Sequence, residues 1–125
     1  MRTPIRVWDY LDDYLHDRDV ILAAVDRVFR SGKLILGPHV AEFEQAFAAY
    51  CGVRHGVGTD NGTNALMLGL KALGVKPGAE VVTVPNTAVP TVSAIVAAGG
   101  VPRLVDIDRD SYVMNVNLLE DAITE

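Results

Sequence analysis

The sequence predicts an α/β fold, a parallel sheet flanked by helices. Two runs rich in β-branched residues, Glu80-Val81-Val82-Thr83-Val84 and Arg103-Leu104-Val105-Asp106-Ile107, stand on either side of a helical pattern. Strand, helix and strand in close succession imply a crossover unit, and crossovers join parallel strands. A short segment, His55 to Thr59, reads as one more strand ahead of one more helical pattern, which extends the order backwards.

The first helical pattern spans Asp19 to Arg30, with Val20, Ala24, Val25, Val28 and Phe29 on one face, Asp19 as cap and Ser31-Gly32 as stop. After the loop Lys33-Leu34-Ile35-Leu36-Gly37, Pro38 suits a first helical position. Val40, Phe43, Phe47 and Tyr50 then repeat on one side until Gly52. Asn61-Gly62-Thr63-Asn64 has capping residues and opens a third helix through Ala65, Leu66, Gly69, Leu70 and Leu73, closed by Gly74. Lys76-Pro77-Gly78-Ala79 is a turn, and the strand from Glu80 behind it is bounded by Pro85. Small and apolar residues from Ala88 to Ala98 form a fourth helix, with Pro90 tolerated in its first turn and Gly99-Gly100 ending it. After the strand Arg103 to Ile107, Asn117 caps a last helical start, Leu118 to Glu125. That helix has no stop signal and is expected to be cut mid-element.

Composition narrows the function. Half the residues are apolar and 22% are charged, enough for a core and unlike a disordered tail. The net charge of −5 and the scattered Lys and Arg residues offer no basic patch, so nucleic acid is not an expected partner. A single cysteine, Cys51, excludes an intrachain disulfide and reads as a small buried residue at a helix end. Charged residues follow the start Met1-Arg2-Thr3-Pro4-Ile5-Arg6, unlike a secretory signal. The longest apolar run, Val92 to Val101, is too short for a membrane span. A soluble, cytoplasmic chain is expected.

In open parallel sheets ligands collect beyond the carboxyl ends of strands, where helix N-termini turn free N–H groups and a partial positive charge toward anions. Asn61-Gly62-Thr63-Asn64 lies at such a junction. Gly62 allows close approach to the backbone, Thr63 brings a hydroxyl, and the N–H groups of Thr63 and Asn64 fall in the first turn. A phosphate cradle and a plain helix cap both fit this pattern. Pro85-Asn86-Thr87-Ala88-Val89-Pro90 follows the next strand and faces the same edge. Asn86 and Thr87 either line a site or cap the fourth helix.

Gly56, Gly58 and Gly62 resemble a dinucleotide fingerprint, but a helix rather than a strand precedes them, and Glu80 stands at the start of the next strand instead of its end. An NAD site is therefore rejected. Asp106 and Asp108 lack further ligands at metal-site spacing and read as a solvated strand end, and no metal is expected. His16, His39 and His55 are isolated.

Taken as a series, Ser31-Gly32-Lys33-Leu34-Ile35-Leu36-Gly37-Pro38, Phe43-Glu44 and Phe47-Ala48-Ala49-Tyr50-Cys51-Gly52 resemble the opening of the DegT/StrS-type sugar aminotransferases. The resemblance continues through Asn61-Gly62-Thr63-Asn64-Ala65-Leu66, Ala72-Leu73-Gly74-Val75, Pro77-Gly78-Ala79-Glu80-Val81, Pro85-Asn86-Thr87 and Val105-Asp106-Ile107-Asp108, in the family's order. It implies a fold-type I enzyme dependent on pyridoxal 5'-phosphate (PLP). Such an enzyme moves an amino group, usually from glutamate, to a nucleotide-linked keto-sugar in deoxyamino-sugar biosynthesis.

By the same resemblance, residues 1–125 are one incomplete domain, with a helical segment over 1–52 and the start of the PLP-binding large domain over 53–125. Gly62, Thr63 and Asn64 would hold the PLP phosphate. The position of Ala88 usually carries an aromatic ring that stacks on the pyridine face, so the resemblance implies another apolar group there or looser seating. Asn86, Thr87, Leu34 and Ile35 fall where substrate or interface contacts are made, and the complete enzymes are homodimers with active sites at the subunit interface.

The family's Schiff-base lysine and its aspartate for the pyridinium nitrogen come later in the order. Lys33, Lys71 and Lys76 match neither context and read as surface residues, so transamination by this stretch alone is not expected. The alternative is a non-catalytic or vestigial binding or assembly protein of the same fold. The family's first strand pairs with a much later one, so His55 to Thr59 is expected to show an open edge beside uncovered apolar surface.

Overall fold

The computed structural model describes residues 8–124. It divides into two compact units, 1–58 and 59–125.

The first unit holds α1 (Tyr10–Ser31) and α2 (Pro38–Tyr50). α1 begins nine residues before the expected Asp19. Asp12 and Asp13 occupy its first turn, where carboxylates suit the positive end of the helix, and Asp19 accepts from the Arg18 guanidinium within the helix instead of capping it. A capping residue type inside a helix misplaced the start. The other end is as read: Gly32 is left-handed (φ 66°) and donates its N–H to Phe29. Pro38 opens α2 and Ala48 is its buried residue, while Phe43, Phe47 and Tyr50 follow one another along it, all exposed, with the Phe43 and Phe47 rings stacked and the Tyr50 ring tilted against Phe47. Cys51 is exposed, contrary to its reading as buried, because it caps α2 on the solvent side.

No strand forms over His55 to Thr59. Among the described residues no strand lies beside this stretch, and a lone extended segment has nothing with which to build a ladder. It lies against α2. The Glu44 carboxylate accepts the Gly58 N–H at 2.7 Å.

The second unit runs α3 (Gly62–Ala72), β1 (Glu80–Thr83), α4 (Val89–Ala97) and β2 (Val101–Leu104), then a 3₁₀ turn (Val116–Leu118) and the short α5 (Leu119–Ala122). β1 and β2 pair in parallel, Glu80 with Val101 through Thr83 with Leu104, joined by the α4 crossover. β2 starts two residues earlier than read. Gly100 is tightly enclosed just ahead of it: a Cβ there would stand 3.1 Å from Val81 Cγ2 and 3.2 Å from Ile95 Cγ2, so a side chain would crowd both. Gly99, at φ 94°, supplies the left-handed residue that ends α4. Ala94, Ile95, Ala98 and Val105 form the buried apolar set of this unit, with Thr83 beside them. α3 packs on α4. Leu66 and Leu68 of α3, Leu73 at its end and Val96 of α4 are exposed.

The last helix also differs from its reading. Asn115, not Asn117, caps it by accepting the Asn117 N–H, and it begins as a 3₁₀ turn. It does not run on to Glu125 as expected but stops at Ala122, where Ile123 turns extended (φ −83°, ψ 122°); Glu125 itself lies outside the described residues. Thr124 donates its hydroxyl to Glu80, whose other oxygen meets Arg103 at 2.8 Å. The Thr124 bond lowers the Glu80 carboxyl below its ordinary 4.5, partial burial opposes this, and Arg103 adds to the lowering. A carboxyl lowered on folding stabilises the fold above its unfolded value and stops doing so as pH falls through the folded one. Acid is therefore expected to loosen this contact only below pH 4.5, and Glu80→Gln to flatten that part of a stability-against-pH curve. No helix among the described residues is long and apolar enough to cross a membrane.

Candidate functional site

The first turn of α3 is the best-organised polar feature of the second unit. Asn61 is extended (φ −162°) and its Oδ1 accepts the Asn64 N–H at 2.9 Å, the bond expected of a cap. The Asn61 carbonyl takes the Ala65 N–H and so begins the helical ladder. A helix leaves its first donors without intrahelical partners, and here two remain, the N–H groups of Gly62 and Thr63. Asn64 differs from its reading as a backbone donor, because the cap has taken its N–H.

Around this turn the side chains are fixed by Asp60. Its carboxylate accepts from Asn61 Nδ2 at 3.0 Å and from Asn64 Nδ2 at 2.8 and 2.9 Å, while the Thr59 hydroxyl donates to the Asn61 carbonyl. These bonds engage Thr59, Asp60, Asn61 and Asn64 and leave the half-buried Thr63 hydroxyl to other partners. A Cβ at Gly62 would meet nothing within 4 Å, so the backbone there is open to approach. Two N–H groups, a hydroxyl and an open glycine at a helix N-terminus fit a phosphate monoester.

The short links from α3 to β1 and from β1 to α4 place the end of α3 at the start of β1, and the start of α4 at the end of β1. Asn86 and Thr87 lie exposed in the second link. Neither caps α4: the N-cap is Ala88, which has no side-chain acceptor, and the Thr87 hydroxyl pairs with that of Thr91 at 2.8 Å. Ala88 is exposed. Leu34 and Ile35 belong to the first unit, in the exposed loop before α2, where Leu36 takes the left-handed φ of 49°. Lys33, Lys71 and Lys76 are exposed in a loop, the last turn of α3 and a turn. Two concave surfaces of the second unit, each of about 470 Å³, are lined elsewhere, by Pro102 to Asp106 with Leu118, Asp121 and Ala122, and by Gly78 to Glu80, Val82 and Ala122 to Thr124.

Asp108 organises a turn: one oxygen accepts the N–H groups of Asp110 and Ser111 and the Ser111 hydroxyl, and these bonds, led by Ser111, hold its carboxyl low. Gly56 and Gly58 press against Glu44, an approach to protein and not to a dinucleotide.

Residues 16–125 match the DegT/DnrJ/EryC1/StrS aminotransferase family. The chain belongs to that family. A relative from Micromonospora megalomicea subsp. nigra, dTDP-3-amino-3,4,6-trideoxy-alpha-D-glucose transaminase, is 51% identical over 94% of this chain and 32% of its own. Among solved structures, S. venezuelae DesV in complex with a ketimine intermediate superposes with a TM-score of 0.92 at 38% identity, covering 98% of this chain and 33% of that one. Bacillus subtilis NtdA with bound cofactor PMP gives 0.87 at 35%, covering 98% and 29%. The chain thus spans about a third of the length of these family members. The α/β fold expected from the strand and helix order is the fold of the family.

Two residues carry more of this geometry than their sequence suggested. Asp60 had a visible signal, since Asp and Asn four apart share a helix face at an N-terminus. Glu44 had none beyond its place in the motif Phe43-Glu44, because its partner is fourteen residues away.

Proposed function

We propose that this sequence is the opening portion of a PLP-dependent transaminase that passes an amino group, from glutamate, to the keto carbon of a nucleotide-linked sugar in deoxyamino-sugar biosynthesis. The α3 turn carries the proposal, because a family member with PMP bound superposes on a chain whose own free donors suit a phosphate. In this reading Gly62 and Thr63 hold the phosphate through their N–H groups and the Thr63 hydroxyl, and Asn64 holds the turn in shape. Asn86 and Thr87 line the same side of the sheet, and the Leu34–Ile35 loop serves a homodimer interface in the complete protein. Residues 1–52 form the helical segment, and residues 53–125 open the cofactor-binding domain.

PLP supplies the electron sink for the transfer, and the protein supplies seat and orientation. Residues 1–125 alone do not carry out the reaction, since Lys33, Lys71 and Lys76 all lie outside the family's lysine context. Incubating the complete protein with PLP, glutamate and a dTDP-linked keto-sugar is expected to give 2-oxoglutarate and the amino-sugar. PLP uptake without transfer to any keto-sugar nucleotide favours a non-catalytic binding protein, and no uptake at all contradicts the proposal.

Ala88 offers no ring to stack on the cofactor. An introduced aromatic at this exposed position gains stacking of about 0.5–1.5 kcal/mol. Ala88→Phe is therefore expected to tighten PLP binding roughly twofold to tenfold, measured by spectroscopic titration.

A further inference from the structure

We propose that Asp60 is a positioning residue that decides which N–H group the cap of α3 takes, and so keeps the Thr63 N–H free for the cofactor phosphate. This inference rests on the reading of the first turn of α3 as the phosphate seat, and every residue in it belongs to the second unit. An asparagine at an N-cap can accept from the second or the third N–H of its helix. In α3 these belong to Thr63 and Asn64, and Asn61 Oδ1 takes that of Asn64 at 2.9 Å. The Asn61 side chain alone does not dictate that choice.

Asp60 supplies the missing direction. An asparagine amide has a donor end and an acceptor end. Asp60 Oδ2 accepts from Asn61 Nδ2 at 3.0 Å, which holds the donor end on the carboxylate and turns the oxygen toward the helix. The same carboxylate accepts from Asn64 Nδ2 at 2.8 and 2.9 Å, so Asn64 is drawn to the pair and its N–H meets the Asn61 oxygen. Bonds to a charged acceptor are stronger than neutral ones, which makes the carboxylate the anchor of this ring of contacts. Without it, Asn61 Oδ1 is free to move to the Thr63 N–H, and a phosphate must displace the cap to reach one of its two backbone donors. The carboxylate also repels a phosphate. That effect has the opposite sign, but Asp60 is exposed and its charge is screened by salt.

The test uses the complete protein. Asp60→Ala removes the acceptor, whereas Asp60→Asn keeps one and drops the charge. Amide hydrogen exchange, read without PLP, is expected to become roughly tenfold faster at Asn64 and about threefold slower at Thr63 in Asp60→Ala. Adding Asn61→Ala to that variant removes the competing oxygen and is expected to abolish the slowing at Thr63. The PLP dissociation constant is expected to rise roughly threefold to tenfold in Asp60→Ala and to stay within about threefold of the unaltered protein in Asp60→Asn. Should Asp60→Ala not fold, Asp60→Ser, whose oxygen lies one atom short of the carboxylate's, is expected to show the same reversal of exchange. A general loosening would speed both amides, and that result overturns the proposal, as does slowing at Thr63 that persists without Asn61. Tighter PLP binding in both Asp60→Ala and Asp60→Asn shows charge outweighing position and overturns it too. Undiminished PLP affinity in Asp60→Ala overturns this inference alone, whereas no PLP uptake by the unaltered protein overturns the seat itself.

Discussion

Replacing Thr63 by valine in the complete protein is expected to raise the PLP dissociation constant roughly tenfold to a hundredfold, with little change in stability. The substitution keeps the shape of the side chain and deletes one hydroxyl that the surrounding turn leaves available. A hydrogen bond to a charged partner is worth about 1.5–3 kcal/mol, which corresponds to that range of affinity. The N–H groups of Gly62 and Thr63 remain, so binding is weakened and not abolished. Spectroscopic titration reads the change, and unfolding in urea checks that the turn survives. A variant that binds PLP as tightly as the unaltered protein removes Thr63 from the seat.

Ile95→Ala is expected to have the largest effect on stability, a loss of about 2–5 kcal/mol. Ile95 is 3% exposed and touches the place where a side chain on Gly100 would stand, at the point where α4 turns into β2. Deleting its branched end opens a cavity between the crossover helix and the sheet. The strands are held in register by their hydrogen bonds and cannot close over the gap. Val96, its neighbour, is 59% exposed, and Val96→Ala is expected to cost well under about 1 kcal/mol. Denaturant unfolding of the two variants separates them, and equal losses contradict the burial pattern.

What could be read from the sequence was local in origin. The β-branched run ending at Pro85, the Gly99-Gly100 stop and the Asn61 cap each act through neighbours a few residues away, and each stands where it was read. Local signals also misled. Asp19 and Asn117 have capping chemistry, but Asp12 and Asp13 at one end and Asn115 at the other hold the real helix starts. The strand expected at His55 to Thr59 depends on a neighbour that local pattern cannot supply, and Glu44 takes one of its donors instead. The candidate turn was legible in outline through Gly62, Thr63 and Asn64. Its division of labour was not, because only the folded cap shows that Asn64 gives its N–H to Asn61 and its amide to Asp60.

The central claim is that the first turn of α3 seats the cofactor phosphate, and a crystal structure of the complete protein with PLP tests it most directly. The expected result is a phosphate within hydrogen-bond distance of the Gly62 and Thr63 N–H groups and the Thr63 hydroxyl, with the Asn64 N–H still held by Asn61. A phosphate bound without contact to Gly62 or Thr63 would contradict it.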